Sequence, residues 1–376
     1  MSQKKVFIYS DYFKPGYLAG GPIQSVSNIC NLLPEFFFYI YTQNFDLNDS
    51  QNPYPLQFNT WIEDNETTRI FYTTRISYLF LAWRQLFHIK PDVIYINSLF
   101  STATQSNLIQ VLLYSLFNKC RVIIAPRGEL DEGALAIKST KKKVFVFLFK
   151  LFVGRKIIFH ATTEKEKEFI KLQVKNQVLV AENIPTVLTE QTTRIKQPNR
   201  SKFIFISRIC TKKNLLFALN CLKNINIDGE LEFTIIGPVE DAAYWKKCEI
   251  AIDQLPSNIK CIVLGAFPHH QIQGKLTANH YMLFPTMAEN FGHIIYESLI
   301  NGLPVIISDN TPWDNGYDNG VFAYSLTEEK SFIDRVENFH SLQQPEYDIL
   351  SKNAFEYAKR KVNLELIKTQ YFKLFN

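Results

Sequence analysis

Two Rossmann-like α/β domains facing a central cleft are the fold this chain predicts, on three observations. Its 376 residues are too many for one small core, so two domains of ordinary size are the natural partition. Short apolar runs rich in β-branched and aromatic residues alternate with helical stretches, which is how parallel sheets buried on both faces read. A polar break, TVLTEQTTRIKQPNRS over residues 186–201, separates two such series.

In chain order, KVFIYS (5–10), DVIYINS (92–98) and RVIIAP (121–126) read as buried strands of the first half. The helix PIQSVSNICNLL (22–33) places Ile23, Val26, Cys30 and Leu33 on one face, with Pro22 suited to its first turn. After the break come KFIFIS (202–207), EFTIIG (232–237), CIVLG (261–265) and PVIIS (304–308). The last stretch, LELIKTQYFKLF (364–375), is helical and is expected to return to the first domain. The partition expected is 1–190 for the first domain, 191–355 for the second and 356–376 for the returning C-terminal helix. In such folds ligands sit at the carboxyl ends of the strands.

Composition narrows the class. Hydrophobic residues make up 46% and charged residues 20%, which describes a globular protein and not a disordered one. A formal charge of +5 is too mild to point to nucleic acid. Cys30, Cys120, Cys210, Cys221, Cys248 and Cys261 are scattered, with no C-x-x-C pair, so reduced thiols and no zinc site are expected. The start MSQKKVFIYSDYF enters a strand too soon for a secretory signal, and no apolar run reaches the roughly 18 residues needed to span a membrane. A cytoplasmic location follows as the expectation.

Three stretches carry chemistry. In FPTMAENFGHIIYESLINGLPVIISDNTPW (284–313), Gly292 and His293 open a helix that runs to about Asn301, and Gly302 stops it. Glu289 precedes that helix and Glu297 lies in its second turn. The free N–H groups from Asn290 to His293 favour an anion or a hydroxyl-rich ligand, with the two acids accepting from sugar hydroxyls. By spacing alone, two glutamates eight residues apart are more often solvent-facing. In FISRICTKKNLLFALNCL (205–222), Arg208 and Lys213 flank a strand-to-helix turn, with Lys212 as a competitor. A leaving diphosphate needs such cations, Arg as a bidentate fork and Lys as a point charge; taken alone, an exposed basic turn is the commoner case. In DYFKPGYLAGGPIQSV (11–26), Gly20 and Gly21 let backbone approach a phosphate, although a lone Gly-Gly often only marks a turn. It is neither a G-x-G-x-x-G fingerprint nor a Walker loop.

Taken in order, these stretches resemble the retaining glycosyltransferases of the GT-B fold, in glycosyltransferase family four (group 1). KPDVIYINS, PRGELDEGAL, HATTEKEKEFI, AENIP, SRICTKKN, IIGP and LGAFPHHQI extend the likeness along nearly the whole chain. The Glu289 to Glu297 spacing, with NFG inside it and GLPVIISDNTPW after it, is its most specific part. The resemblance implies that Arg208 and Lys213 hold the donor diphosphate, with the Gly20–Gly21 loop closing over it. It implies that Glu297 takes the ribose hydroxyls. Glu289 would take the transferred sugar, helped by backbone amides of Phe291, Gly292 and His293. Such enzymes need no divalent metal and no cofactor beyond the nucleotide-sugar donor, and the chain has no Asp-x-Asp motif. UDP is the donor that family frequency favours.

One departure stands out. Many relatives place a His near the donor sugar where this chain reads APRGELDEG, with Arg127 at the position and Glu129 and Asp131 after it. Arg cannot act as a base at neutral pH, so either Arg127 joins the catalytic group by binding donor or acceptor, or one of the nearby acids acts in an unusual way. His160 is a second candidate, although a lone His after an apolar strand more often serves structure. Retention is then read as reaction on one face of the sugar, the leaving phosphate oxygen taking the acceptor's proton; Glu289 as a covalent nucleophile is the alternative.

Residues 138–175 hold 11 Lys or Arg against three acids. Within them, KKKVFVFLFKLFVGRK suits an anionic membrane surface through residues 138–156, on the inner face of the membrane; packing of its Phe residues on the sheet is the other reading. The membrane reading fits a glycan or polyprenyl-diphosphate-linked acceptor in surface polysaccharide synthesis. Two rival functions remain at this level: a nucleotide-sugar 2-epimerase, and a catalytically silent partner that binds glycan or nucleotide.

Overall fold

The computed structural model describes residues 3–74, 77–130, 157–185 and 192–376. The basic segment 138–156 and Asp131 lie outside these residues. The chain forms two compact units: Met1–Ile184 joined by Leu364–Asn376, and Pro185–Asn363.

Unit 1 runs β1 (Lys4–Tyr9), α1 (Gly21–Leu32), β2 (Phe36–Gln43), β3 (Trp61–Asn65), β4 (Thr68–Thr73), α2 (Tyr78–Ile89), β5 (Val93–Asn97), α3 (Thr102–Phe117), β6 (Arg121–Ala125), β7 (Ile157–Ala161), α4 (Glu164–Gln173) and β8 (Gln177–Val180). These strands form one sheet in the order β3-β4-β2-β1-β5-β6-β7-β8. All its pairings are parallel except β3 with β4, an antiparallel edge. Aromatic side chains fill much of its core: Tyr41 stacks on Phe71 at 5.4 Å and meets Tyr78 at 4.9 Å. In α1, Ile23, Val26 and Cys30 are buried as their spacing requires.

Unit 2 runs β9 (Arg200–Ile206), α5 (Leu215–Lys223), β10 (Glu230–Ile236), α6 (Ala242–Asp253), β11 (Ile259–Gly265), α7 (His269–Thr277), β12 (Tyr281–Phe284), α8 (His293–Ile300), β13 (Val305–Ser308), β14 (Val321–Tyr324), α9 (Glu329–Ser341) and α10 (Gln344–Lys361). Its six strands are all parallel, in the order β11-β10-β9-β12-β13-β14. The chain builds outward from β9 through β10 and β11, then crosses to β12 and builds the other way. The order therefore reverses between β9 and β12, the topological switch point at whose strand carboxyl ends ligands bind in open α/β sheets.

The C-terminal partition differs from the sequence reading, which opened the returning segment at residue 356. α10 continues to Lys361 on unit 2, with Tyr347, Leu350, Ala354, Tyr357 and Ala358 buried at three-to-four spacing. Ser351 Oγ donates to Gly302 O at 2.7 Å and Tyr357 Oη to Asp314 Oδ2 at 2.9 Å, fixing α10 to its own unit. The segment that packs with unit 1 begins at Leu364, as α11 (Leu364–Phe375). There Phe372 and Phe375 meet Phe36 at 5.2 and 5.4 Å, and Lys368 pairs with Glu35 at 2.6 Å. Among the described residues no helix is long and apolar enough to cross a membrane.

Candidate functional site

Arg208, Lys213 and Glu289, which the sequence singles out, stand in the loops after β9 and β12, at the switch point of unit 2. β9 ends at Ile206, and Gly237 at the end of β10 passes so close that an added Cβ would lie 1.8 Å from Ser207 O. Only glycine permits that approach. Beyond it, Arg208 forms an ion pair with Glu240, both more than a third exposed. Such a pair is weak and easily exchanged for another partner.

Lys213 is set more firmly. It closes a single 3-10 turn (Thr211–Lys213), followed by Asn214 in the left-handed region at φ 61. Asn214 Nδ2 donates to Pro285 O at 3.0 Å, and Met287 N donates to Lys212 O at 2.9 Å, so the loops after β9 and β12 are laced together. This brings the Lys213 ammonium onto the Glu289 carboxylate, the two side chains only 15% and 14% exposed. Glu289 is also pinned through its backbone, whose N–H donates to Asn310 O at 3.1 Å. Lys212, the competing cation, supplies its carbonyl to this lacing.

Asn290, Phe291, Gly292 and His293 form the junction into α8. Gly292 adopts φ 75 and its carbonyl accepts from Ile295 N and Tyr296 N at 2.9 and 3.1 Å, starting the helix. Phe291 O accepts from Trp313 Nε1 at 2.6 Å. Trp313 is buried against Phe291 and Tyr357, with ring centroids 5.5 and 6.1 Å apart, so it braces this loop from behind. Glu297 lies in the second turn of α8, 10% exposed, with Oε1 2.8 Å from Nε2 of His269. Sequence reasoning gave neither Trp313 nor His269 a role; one carries its weight through an indole N–H, the other through a contact between helices 28 positions apart.

Gly20, Gly21 and Arg127 belong to unit 1. Gly20 adopts φ 66 and leads into α1, and an added Cβ there meets nothing within 4 Å, so backbone conformation alone calls for glycine. Asp46 fastens this loop, its Oδ2 accepting from Tyr17 N and Leu18 N at 2.6 and 2.9 Å. Gly16 is the glycine that packing demands, since its Cβ would fall 2.1 Å from Tyr54 Oη.

The Arg127 guanidinium is engaged at every nitrogen: Nε donates to Asn97 Oδ1 at 2.9 Å, Nη1 to Asn183 Oδ1 at 2.6 Å and Nη2 to Tyr95 Oη at 2.9 Å. Burial works against its charge, but Tyr95, Tyr371 and Glu166 around it more than offset that and raise its pKa. The fork thus ties together the carboxyl ends of β5 and β6 and the chain after β8. Glu129 is equally occupied, accepting from Ser98 Oγ and Leu99 N at 2.6 Å each.

His160 is fully buried, with Nε2 2.7 Å from Ala181 O and Nδ1 2.8 Å from Tyr95 Oη. A carbonyl only accepts, so Nε2 carries the proton and Nδ1 accepts from Tyr95, which in turn accepts from Arg127. Burial, then the Arg127 charge, push its pKa down to about 3. The unfolded chain therefore binds a proton on this residue that the folded chain refuses. Its contribution to stability is complete above about pH 6.5 and is lost as pH falls toward 3. We expect a slope of about 1.4 kcal/mol per pH unit in that window from this residue. Denaturant unfolding from pH 7 to 4.5 checks it: His160→Gln should be less steep by that amount, and parallel curves would show that the histidine is not held neutral.

The family model described as Glycosyl transferases group 1 matches residues 188–357, the stretch that holds Arg208, Lys213, Glu289 and Glu297. None of the curated proteins matches the sequence. Among solved structures, sucrose-phosphate synthase from Thermosynechococcus elongatus superposes with a TM-score of 0.72 at 14% identity, covering 99% of this chain and 98% of that one. Anabaena Alr3699/HepE in complex with UDP-glucose gives 0.68 at 14% identity, covering 98% of each chain. The E. coli structure described as trehalose-6-phosphate bound with UDP-2-fluoro glucose gives 0.70 at 9% identity, covering 98% of each. At such identities the likeness is one of fold, the GT-B fold.

Proposed function

We propose, for a chain whose residues 188–357 match the group 1 glycosyltransferase model, the metal-independent transfer of a hexose-type sugar from a nucleoside diphosphate donor to an acceptor hydroxyl, with retention at the anomeric carbon. The observation that carries this reading is the Lys213–Glu289 pair, set where the strand order of unit 2 reverses. A lysine there supplies the positive charge that a leaving diphosphate needs, in a setting only 15% exposed, where that charge acts more strongly than in water. Arg208 adds a bidentate fork once a phosphate outcompetes Glu240. Both cations do by charge what a metal does elsewhere.

In the reaction, the bond from the anomeric carbon to the β-phosphate oxygen breaks and the acceptor oxygen bonds to that carbon on the same face. The acceptor's proton passes to the departing phosphate oxygen, so no protein base is required. That agrees with an Arg127 committed to Asn97, Asn183 and Tyr95, which we assign to positioning. Glu289 takes hydroxyls of the transferred sugar and Glu297 those of the ribose. UDP is the donor favoured, in keeping with the UDP-glucose of the Anabaena structure. The acceptor proposed is a glycan or a polyprenyl-diphosphate-linked sugar of surface polysaccharide synthesis, met at the cytoplasmic face of a membrane through the basic segment 138–156.

Release of free nucleoside diphosphate from a UDP-sugar supplied with lipid-linked acceptor tests the reading. The transferase releases it in step with glycosylated acceptor. Interconversion of two nucleotide sugars without release would instead identify an epimerase, and binding with neither outcome a silent partner.

A further inference from the structure

The Glu297 carboxylate has a neighbour that its assigned role does not account for. The contact of Oε1 with His269 Nε2, at 2.8 Å, joins the first residue of α7 to the fifth of α8. A carboxylate only accepts, so Nε2 is the donor. Burial opposes a charge on the imidazole, but the hydrogen bond and the charge of Glu297 outweigh it and raise the His269 pKa. A glutamate side chain is otherwise loose, with three rotatable bonds to freeze when a ligand arrives. Here one carboxylate oxygen is tied in advance.

We infer that His269 is a positioning and specificity residue for the sugar moiety of the donor nucleotide, holding Glu297 in the rotamer that accepts from vicinal ribose hydroxyls. This rests on the assignment of Glu297 to the ribose. A carboxylate fixed before binding spares the complex the entropy of ordering it. A site built to hydrogen-bond a hydroxyl also discriminates strongly against an analogue that lacks it. His269 thus governs discrimination between ribo- and dideoxyribonucleotides, while leaving contacts to base and diphosphate untouched. Its side chain is 42% exposed, so replacing it leaves the core of unit 2 intact.

The test is calorimetric: dissociation constants of UDP and of 2′,3′-dideoxy-UDP for the wild type, His269→Ala, His269→Gln and Glu297→Gln. The wild type should prefer UDP by about tenfold or more. Glu297→Gln and His269→Ala should both bring that ratio toward one, with the dideoxy constant unchanged in His269→Ala. His269→Gln, whose amide donates a similar hydrogen bond, should keep most of the preference. A His269→Ala protein that retains the ratio, or weakens both ligands alike, while Glu297→Gln loses the preference, would overturn the role of His269 alone. An unaltered ratio in Glu297→Gln would overturn the ribose assignment beneath it. Failure of the wild type to bind UDP would overturn the donor reading, and this inference with it.

Discussion

Replacing Lys213 by alanine slows sugar transfer about 100-fold or more, the loss expected when one preorganised charge is withdrawn from a developing anion. The effect is large because the ammonium is mostly out of water and already placed: the loops after β9 and β12 hold it through Asn214 and Met287, not through the ligand. Two consequences of the substitution must be separated. The first is loss of charge at the leaving diphosphate; the second is a Glu289 left without its partner, 14% exposed. Lys213→Ala combined with Glu289→Gln removes the stranded charge as well. If the account is right, the double variant stays slow, because the diphosphate still lacks its cation. Steady-state kinetics on both variants decides the matter: recovery of turnover in the double variant would mean that Lys213 serves only to neutralise Glu289. Wild-type turnover in Lys213→Ala would remove it from the site.

Replacing Arg127 by methionine destabilises unit 1 by about 3 kcal/mol or more, since it strands three buried or half-buried acceptors at once. Asn97 and Asn183 each lose the donor to their side-chain oxygen, and Tyr95 loses the donor that completes its link to His160. Lysine is no remedy, because a single nitrogen cannot span three acceptors set in a fork. Thermal denaturation should therefore show Arg127→Met and Arg127→Lys both unfolding several degrees lower. A variant with wild-type stability and lost turnover would return Arg127 to the chemistry, where its place in the sequence first put it.

These two residues also mark how far the sequence could be read. Strands showed well: the runs at 5–10, 92–98, 121–126, 202–207, 232–237, 261–265 and 304–308 coincide with β1, β5, β6, β9, β10, β11 and β13 within a residue or two at each end. Their signal is local, a short apolar run between polar turns. The antiparallel edge β3–β4 was not read, because Trp61–Asn65 ends in Glu-Asp-Asn and lacks the alternation that announces a strand. The helix at 344–361 was cut at 355, although its buried face repeats at three-to-four spacing up to Ala358.

The site was legible as residue types and illegible as pairs. Lys213 and Glu289 each stood out, yet their pairing spans 76 positions and depends on two loops meeting at the β9–β12 switch. Arg208 looked like a twin of Lys213, whereas its guanidinium rests on Glu240 at the exposed rim. His269 stood inside LGAFPHHQI without a role for its side chain, because nothing local distinguishes a histidine that opens a helix from one that reaches a neighbouring helix. Arg127 invited a catalytic reading from its position alone; its three acceptors come from β5 and from the chain after β8, which no spacing rule connects. Side-chain partners are properties of the packed fold, so the sequence named the groups and packing chose their partners.

The most direct test is thermal stability against UDP, GDP, ADP and CDP, with and without magnesium, for the wild type beside Lys213→Ala. A nucleotide at 100 times its dissociation constant adds about 2.7 kcal/mol, a shift of a few degrees. The account predicts one clear shift, with UDP, independent of magnesium and lost in Lys213→Ala. No shift with any nucleotide, or a shift that Lys213→Ala leaves unchanged, would contradict it.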